Sequence, residues 1–193
     1  MELTDKTVKD LLVAFRSPDP TPGGGSASAL SGAIGASLLA MVGALPNART
    51  EDDEDVLRLQ TSGHRCSELA EQLTALVDRD SEAYEMVVGA YRLPKATDTE
   101  KSARSARIQQ ALRAAIEAPL DVMRSCTEAL THGAVIAKLG NANASSDVQV
   151  GLELLRAGLR GARLNVDVNL DSVKDAEYRE AVRGEVARLA KTS

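Results

Sequence analysis

Residues 21–45 read TPGGGSASALSGAIGASLLAMVGAL, three consecutive glycines opening onto a long run without a single charge. Small side chains recur at every fourth position of that run: Ser28, Gly32, Ala36, Ala40 and Ala44. In an α-helix such positions fall on one stripe, where a second helix can approach closely. The larger apolar residues, Leu30, Ile34, Leu38, Leu39, Met41, Val42 and Leu45, point in the other directions. The stretch therefore reads as a buried central helix, apolar nearly all round. It is also long enough to cross a bilayer. Its Ser and Gly content, its lack of an aromatic belt and the acidic residues that follow, Glu51, Asp52, Asp53, Glu54 and Asp55, argue against a membrane.

Around this helix the chain has 193 residues, a length suited to one domain, residues 1–193, with a real core. At 44% hydrophobic and 2% aromatic, that core must be filled with Ala, Leu and Val, which favours packed helices over sheets. A net charge of −5 with no basic block argues against nucleic acid as the partner. Cys66 and Cys126 are far apart, and His64 and His132 lack ligand spacing, so neither a disulfide nor a metal site is expected. The N-terminus has no apolar signal region and runs straight into an amphipathic pattern, for which a cytoplasmic location is the expectation.

In chain order, Thr4 is expected to cap a first helix whose face is Val8, Leu11, Leu12 and Phe15, ending at Ser17-Pro18-Asp19-Pro20. Gly23, Gly24 and Gly25 then stand at the mouth of the central helix. There they either form a flexible turn or bring bare backbone N–H groups to a ligand. A long helix follows over residues 52–93, with a seam at steps of three and four: Val56, Leu59, Gly63, Cys66, Ala70, Leu73, Val77, Asp80, Tyr84, Val87, Tyr91. Asp80 is the one charge on that seam. It is either paired and structural or borders a cavity and does chemistry, because a buried, unpaired carboxylate is costly.

Leu93-Pro94-Lys95 stops this helix, and Thr97-Asp98-Thr99-Glu100 is a capping box for the next. Pro119 is expected to kink that helix, and Gly140 to end it. In the polar loop at residues 140–147, Ser145 or Ser146 is expected to cap a further helix. The same loop holds Asn141, Asn143 and Asp147, a donor and acceptor cluster suited to a heterocycle. On the helix after it, Asn165 and Asn169 lie four apart and share a face. A charged amphipathic helix over residues 173–189 closes the chain.

Placed side by side, Pro20-Thr21-Pro22-Gly23-Gly24-Gly25-Ser26, Asp80 with Ala83-Tyr84, Leu93-Pro94-Lys95, Gly140-Asn141 with Asn143 and Ser146-Asp147, and Asn165-Val166 with Asn169-Leu170 resemble the cyclodeaminase/cyclohydrolase family of folate enzymes. The resemblance covers about residues 4–175, and residues 89–109 are similar to its cyclohydrolase branch. It implies an all-α, up-and-down bundle of long helices around the small-residue helix, a homodimer, and a folate cleft near the subunit contact. The implied reaction is hydrolysis of 5,10-methenyltetrahydrofolate to 10-formyltetrahydrofolate, with no cofactor beyond the folate substrate. The alternatives are 5-formiminotetrahydrofolate cyclodeaminase activity and a non-catalytic folate-binding dimer.

On this reading Asp80 and Asp147 are the catalytic carboxylates. Asn141, Asn143, Asn165 and Asn169 contact the pterin, and Lys95 also binds substrate. Gly23, Gly24, Gly25 and Ser26 shape the mouth. One departure stands out. After the central helix the family carries a lysine-rich loop, whereas here only Arg49 supplies positive charge.

Overall fold

Six α-helices follow one another: α1 (Val8–Phe15), α2 (Gly24–Ala44), α3 (Asp53–Tyr91), α4 (Asp98–Leu139), α5 (Ser145–Leu170) and α6 (Ala176–Leu189). The computed structural model describes residues 2–192, and no strand occurs among them. Short connections make successive helices antiparallel neighbours. α2 packs on α3, α3 on α4, α4 on α5, and α5 back on α2, an up-and-down four-helix ring. α2 also reaches across the ring to α4, so it is the inner helix, as its composition implies. α6 lies against α4, where Arg124 of α4 pairs with Glu185 at 2.8 Å.

The central helix fits because its neighbours carry glycine where they meet it. At the α2–α3 crossing Gly43 faces Gly63, and a Cβ built on Gly43 would lie 2.6 Å from the Gly63 Cα. At the α2–α5 crossing a Cβ on Gly35 would lie 2.6 Å from the carbonyl oxygen of Gly151. Stripe members Ser28 and Gly32 meet α5 at Gly158, where a Cβ would lie 2.8 Å from Ser28 O and 3.1 Å from Gly32 N. Farther along α2 the close approaches shift to Gly35 and Gly43, one position off the stripe, whose last member, Ala44, is exposed. α2 is also less enclosed than expected, since Ile34 and Met41 open onto the surface.

Several local expectations are corrected. Thr7 caps α1 through the Asp10 N–H, while Thr4 donates its hydroxyl to Asp78 at 2.8 Å. The helix starting at Ser145 has no side-chain cap; a 3₁₀ turn at Ala142–Ala144, capped by Asn141, leads into it. The Thr97 capping box forms as read. α4 runs on through Pro119 as one helix. Proline there deprives the carbonyl of Ala115, four residues back, of its helical N–H. That oxygen instead accepts from the side-chain amide of Asn169 at 3.0 Å.

The four bundle helices differ in length. At 1.5 Å per residue, α2 with 21 residues spans about 32 Å and α3 with 39 residues about 58 Å. Antiparallel to α2, α3 therefore continues past the point where α2 begins. Its last three turns, with the start of α4, overhang that end.

Replacing Gly43 with Ala drives a methyl group into backbone rather than into a movable side chain. Gly43→Ala is expected to destabilise the fold by about 2–4 kcal/mol in denaturant titration. Gly184 of α6 has open space at its Cβ. Gly184→Ala should therefore be neutral or stabilising by up to about 1 kcal/mol.

Candidate active site

The overhang makes a cleft of about 390 Å³ at the N-terminal end of α2. Its floor is Gly23, Gly24 and Gly25, with Pro20 and Thr21 before them. α3 supplies Asp80, Tyr84, Val87 and Tyr91, and α4 supplies Leu112 and Ala115. Asn165, Asn169 and Ser172 come from α5 and the turn after it. Asp80 is the one charged side chain among these lining residues.

The α3 seam explains this placement. Leu59, Cys66, Leu73 and Val77 are buried, Asp80 is half-buried, and Tyr84 and Tyr91 are 41% and 50% exposed. The stripe leaves the core where α2 stops covering it, and Asp80 stands at that border. Its Oδ2 accepts the main-chain N–H of Ser26 at 2.9 Å, with the Ser26 hydroxyl 3.2 Å away. That hydroxyl donates to the carbonyl of Val77 at 2.8 Å and so ties the two helices together. α2 has no capping side chain of its own, so Asp80 serves as its cap from the neighbouring helix.

Gly25 is required by the same contact. A Cβ there would sit 1.9 Å from Asp80 Oδ1. No donor among the described residues reaches that Oδ1, and no cation pairs with the carboxylate. Burial pushes the Asp80 pKa above the ordinary aspartate range, outweighing the backbone and hydroxyl hydrogen bonds from Ser26 that pull it down. The result is a carboxylate with one oxygen anchored and the other available, in surroundings that penalise its negative charge.

Asn165 and Asn169 both reach the cleft. Asn165 donates its amide to Gly161 O at 2.9 Å, and Asn169 donates to the orphaned Ala115 O. One N–H of each amide is committed to backbone, which leaves the carbonyl oxygen and the second N–H of each to offer a ligand.

The other expected residues lie elsewhere. Asp147 is in the first turn of α5, and 18 residues of helix separate it from Asn165, about 27 Å. Asn141 donates to Pro46 O at 2.8 Å and accepts from the Asn143 N–H at 2.9 Å, pinning the α2–α3 connection. Within one subunit, therefore, Asn141, Asn143 and Asp147 do not join Asp80. Lys95 is exposed on the turn four residues beyond Tyr91 and does not line the cleft. Arg49 is also distant: its N–H donates to Leu139 O and its Nη1 to Ala137 O, capping the C-terminus of α4.

Sequence reasoning passed over Tyr84 and Tyr91 as core. The available signal was that two of the chain's three tyrosines end one seam, seven residues apart. Cys66 and Cys126 are free and buried, which pushes both thiols up to about 12. No group of three or more His, Cys, Asp or Glu among the described residues is placed to hold a metal.

The sequence model of the formiminotransferase-cyclodeaminase family matches residues 7–188. The chain belongs to that family. It is 40% identical over 176 residues to a methenyltetrahydrofolate cyclohydrolase of Methylorubrum extorquens, covering 91% of this chain and 85% of that one. It is 33% identical over 190 residues to the formimidoyltransferase-cyclodeaminase of Rattus norvegicus, of which it spans 35%. A formiminotetrahydrofolate cyclodeaminase structure from Thermotoga maritima superposes with a TM-score of 0.87 over 99% of this chain and 91% of that one, at 24% identity, and shares the fold.

Asp80→Asn tests the electrostatics of this family site directly. The raised pKa means that the folded state holds the proton more tightly than the unfolded chain. Stability from this group is therefore present below the ordinary aspartate pKa and is lost as pH rises through the elevated one. Asparagine keeps an acceptor for Ser26 and removes the charge. The melting temperature of Asp80→Asn relative to wild type is thus expected to be higher at pH 7 than at pH 4.

Proposed function

We propose that this chain is a methenyltetrahydrofolate cyclohydrolase, hydrolysing 5,10-methenyltetrahydrofolate to 10-formyltetrahydrofolate. The observation that carries the reading is Asp80, a carboxylate without a cationic partner in a cleft otherwise free of charge. The substrate's one-carbon bridge is a cationic amidinium, and such a ring supplies the countercharge this site lacks. Likeness to the Methylorubrum extorquens enzyme across most of both chains supports the same reaction.

In the mechanism, the amidinium carbon is already electrophilic, so the protein must deliver water and manage protons. Asp80 Oδ1 accepts the proton of a water as its oxygen adds to that carbon. The adduct collapses with cleavage of the carbon–N5 bond: N5 takes up the proton that Asp80 accepted, and the adduct's hydroxyl releases its own proton to solvent as the C=O forms. The carbon remains on N10 as a formyl group. Asn165 and Asn169 offer amide oxygens to the ring's N–H groups, and Gly23, Gly24, Gly25 and Ser26 form the floor. Lys95 stands on the exposed turn past Tyr91 as a further substrate contact.

The active form on this reading is a homodimer. Ile34 and Met41 of α2, with Leu164 (66% exposed) and Val168 (73% exposed) of α5, leave apolar surface that a second copy would cover. A second copy would have to bring the start of its own α5 to this cleft. Only by that route do Asp147, Asn141 and Asn143 enter the chemistry. Wild type is expected to sediment as a dimer and Ile34→Glu/Met41→Glu as a monomer with impaired turnover; a wild-type monomer with full activity would refute the arrangement.

For the reaction itself, purified protein should accelerate loss of methenyl absorbance and release no ammonia from 5-formiminotetrahydrofolate. Ammonia release, with methenyltetrahydrofolate decaying at its uncatalysed rate, would establish the cyclodeaminase reaction instead. Asp80→Asn should lower turnover by about 100-fold or more while remaining folded.

A further inference from the structure

Resting on the folate reading above, a question of charge follows. The substrate is cationic at its ring and anionic at its glutamate end. Arg49, the one cation in the connection after α2, is committed to the α4 carbonyls at the end of α2 remote from the cleft. A different part of the molecule must then receive the acidic end.

We propose that Arg104 and Lys174 form that subsite, on the lip of the cleft beyond Tyr91. The Arg104 guanidinium lies over the Tyr91 ring, 5.5 Å from its centroid. Its Nε and Nη2 donate to Tyr91 O at 3.2 and 2.9 Å, which fixes the plane and leaves Nη1 uncommitted among the described residues. Lys174 Nζ lies 3.3 Å from the hydroxyl of Ser105, the next residue on α4. The Lys174 main chain is held by Gln109, which also reaches the carbonyl of Ser172.

Tyr91 and Ser172 both line the cleft, so the two cations flank its outer end. Neither pairs with a carboxylate among the described residues. Arg113, farther along the same helix, shows the contrast, bound to Asp175 at 2.6 Å. Along α3, eleven residues from Asp80 to Tyr91 span about 16 Å. Tyr84 and Tyr91 line that path and would give the aminobenzoyl portion of a folate an aromatic wall. A ligand with its cationic ring at Asp80 would then reach Arg104 with its first glutamate, and γ-linked glutamates would extend to Lys174.

The test compares methenyltetrahydrofolate carrying one or three glutamates, on wild type, Lys174→Gln, and Arg104→Gln/Lys174→Gln. Wild type should show the lower KM for the triglutamate, with a preference that shrinks as salt is raised. The double variant should raise the triglutamate KM about tenfold and lose the salt sensitivity, with kcat retained within about twofold. Lys174→Gln, a change at an exposed side chain, should give a part of that effect.

An unchanged triglutamate KM in the double variant overturns the subsite, and a fall in kcat without a rise in KM shows that Arg104 merely shapes the turn. Calorimetric binding of 5-formyltetrahydrofolate triglutamate separates this proposal from the reaction assignment. Binding that weakens in the double variant supports the subsite even if wild type turns over neither substrate. Absence of binding to wild type overturns both.

Discussion

The open end of the bundle depends on one hydrogen bond, from the main-chain N–H of Ser26 to Asp80 Oδ2. It joins the start of α2, which has no capping side chain of its own, to the one charged side chain among the described residues lining the cleft. α2 needs an acceptor because its first turn has orphan N–H groups. Asp80 needs a donor because it is half-buried, with one oxygen turned toward the start of α2. Each need answers the other only in part: the donors lower the carboxyl pKa, burial raises it more, and the balance is upward. A cation in the cleft would complete what Ser26 begins.

Chain geometry creates the space for such a cation. Had α2 matched α3 in length, Tyr84 and Tyr91 would have been covered and Asp80 buried without access. Instead α2 stops short, and glycine at its start lets the carboxylate lie against bare backbone. The opposite wall uses a second irregularity. Pro119 removes a helical donor, Ala115 O is left unpaired, and Asn169 crosses from α5 to satisfy it. This contact fixes the amide's orientation, since a buried carbonyl oxygen demands the nitrogen and directs the other end outward. A proline that reads as a kink in sequence thus positions a side chain in the cleft.

The sequence made the bundle legible because heptad spacing, capping signals and glycine placement are local properties of each helix. Asp80 was legible for a related reason: one charge on a long apolar seam contradicts its surroundings, wherever the neighbouring helices lie. The grouping of Asp147, Asn141 and Asn143 with it was not a local matter. Polar residues clustered in a loop look alike whether they bind a ligand or hold a turn, and only the rigid length of α5 shows that they lie at its far end from Asn165. Arg49 is a similar case, because a basic residue in a loop and a basic cap on a helix C-terminus share one signature. Tyr84 and Tyr91 were hidden by the seam itself, whose spacing is unchanged where its cover ends.

The two named chemistries of the family place the same demand on this cleft. Hydrolysis begins from the amidinium cation and cyclodeamination ends at it, so on the proposed reading a lone carboxylate at the border of the core would meet the same cation in both. Asp80 therefore cannot be the group that selects between them. Selection falls to what meets the carbon from the other side, either a water that must be admitted or an ammonia that must leave. In this chain the cleft stays open along Tyr84 and Tyr91, and no donor among the described residues reaches Asp80 Oδ1. An oxygen left free in an open cleft is what the proposed hydrolysis requires of its base.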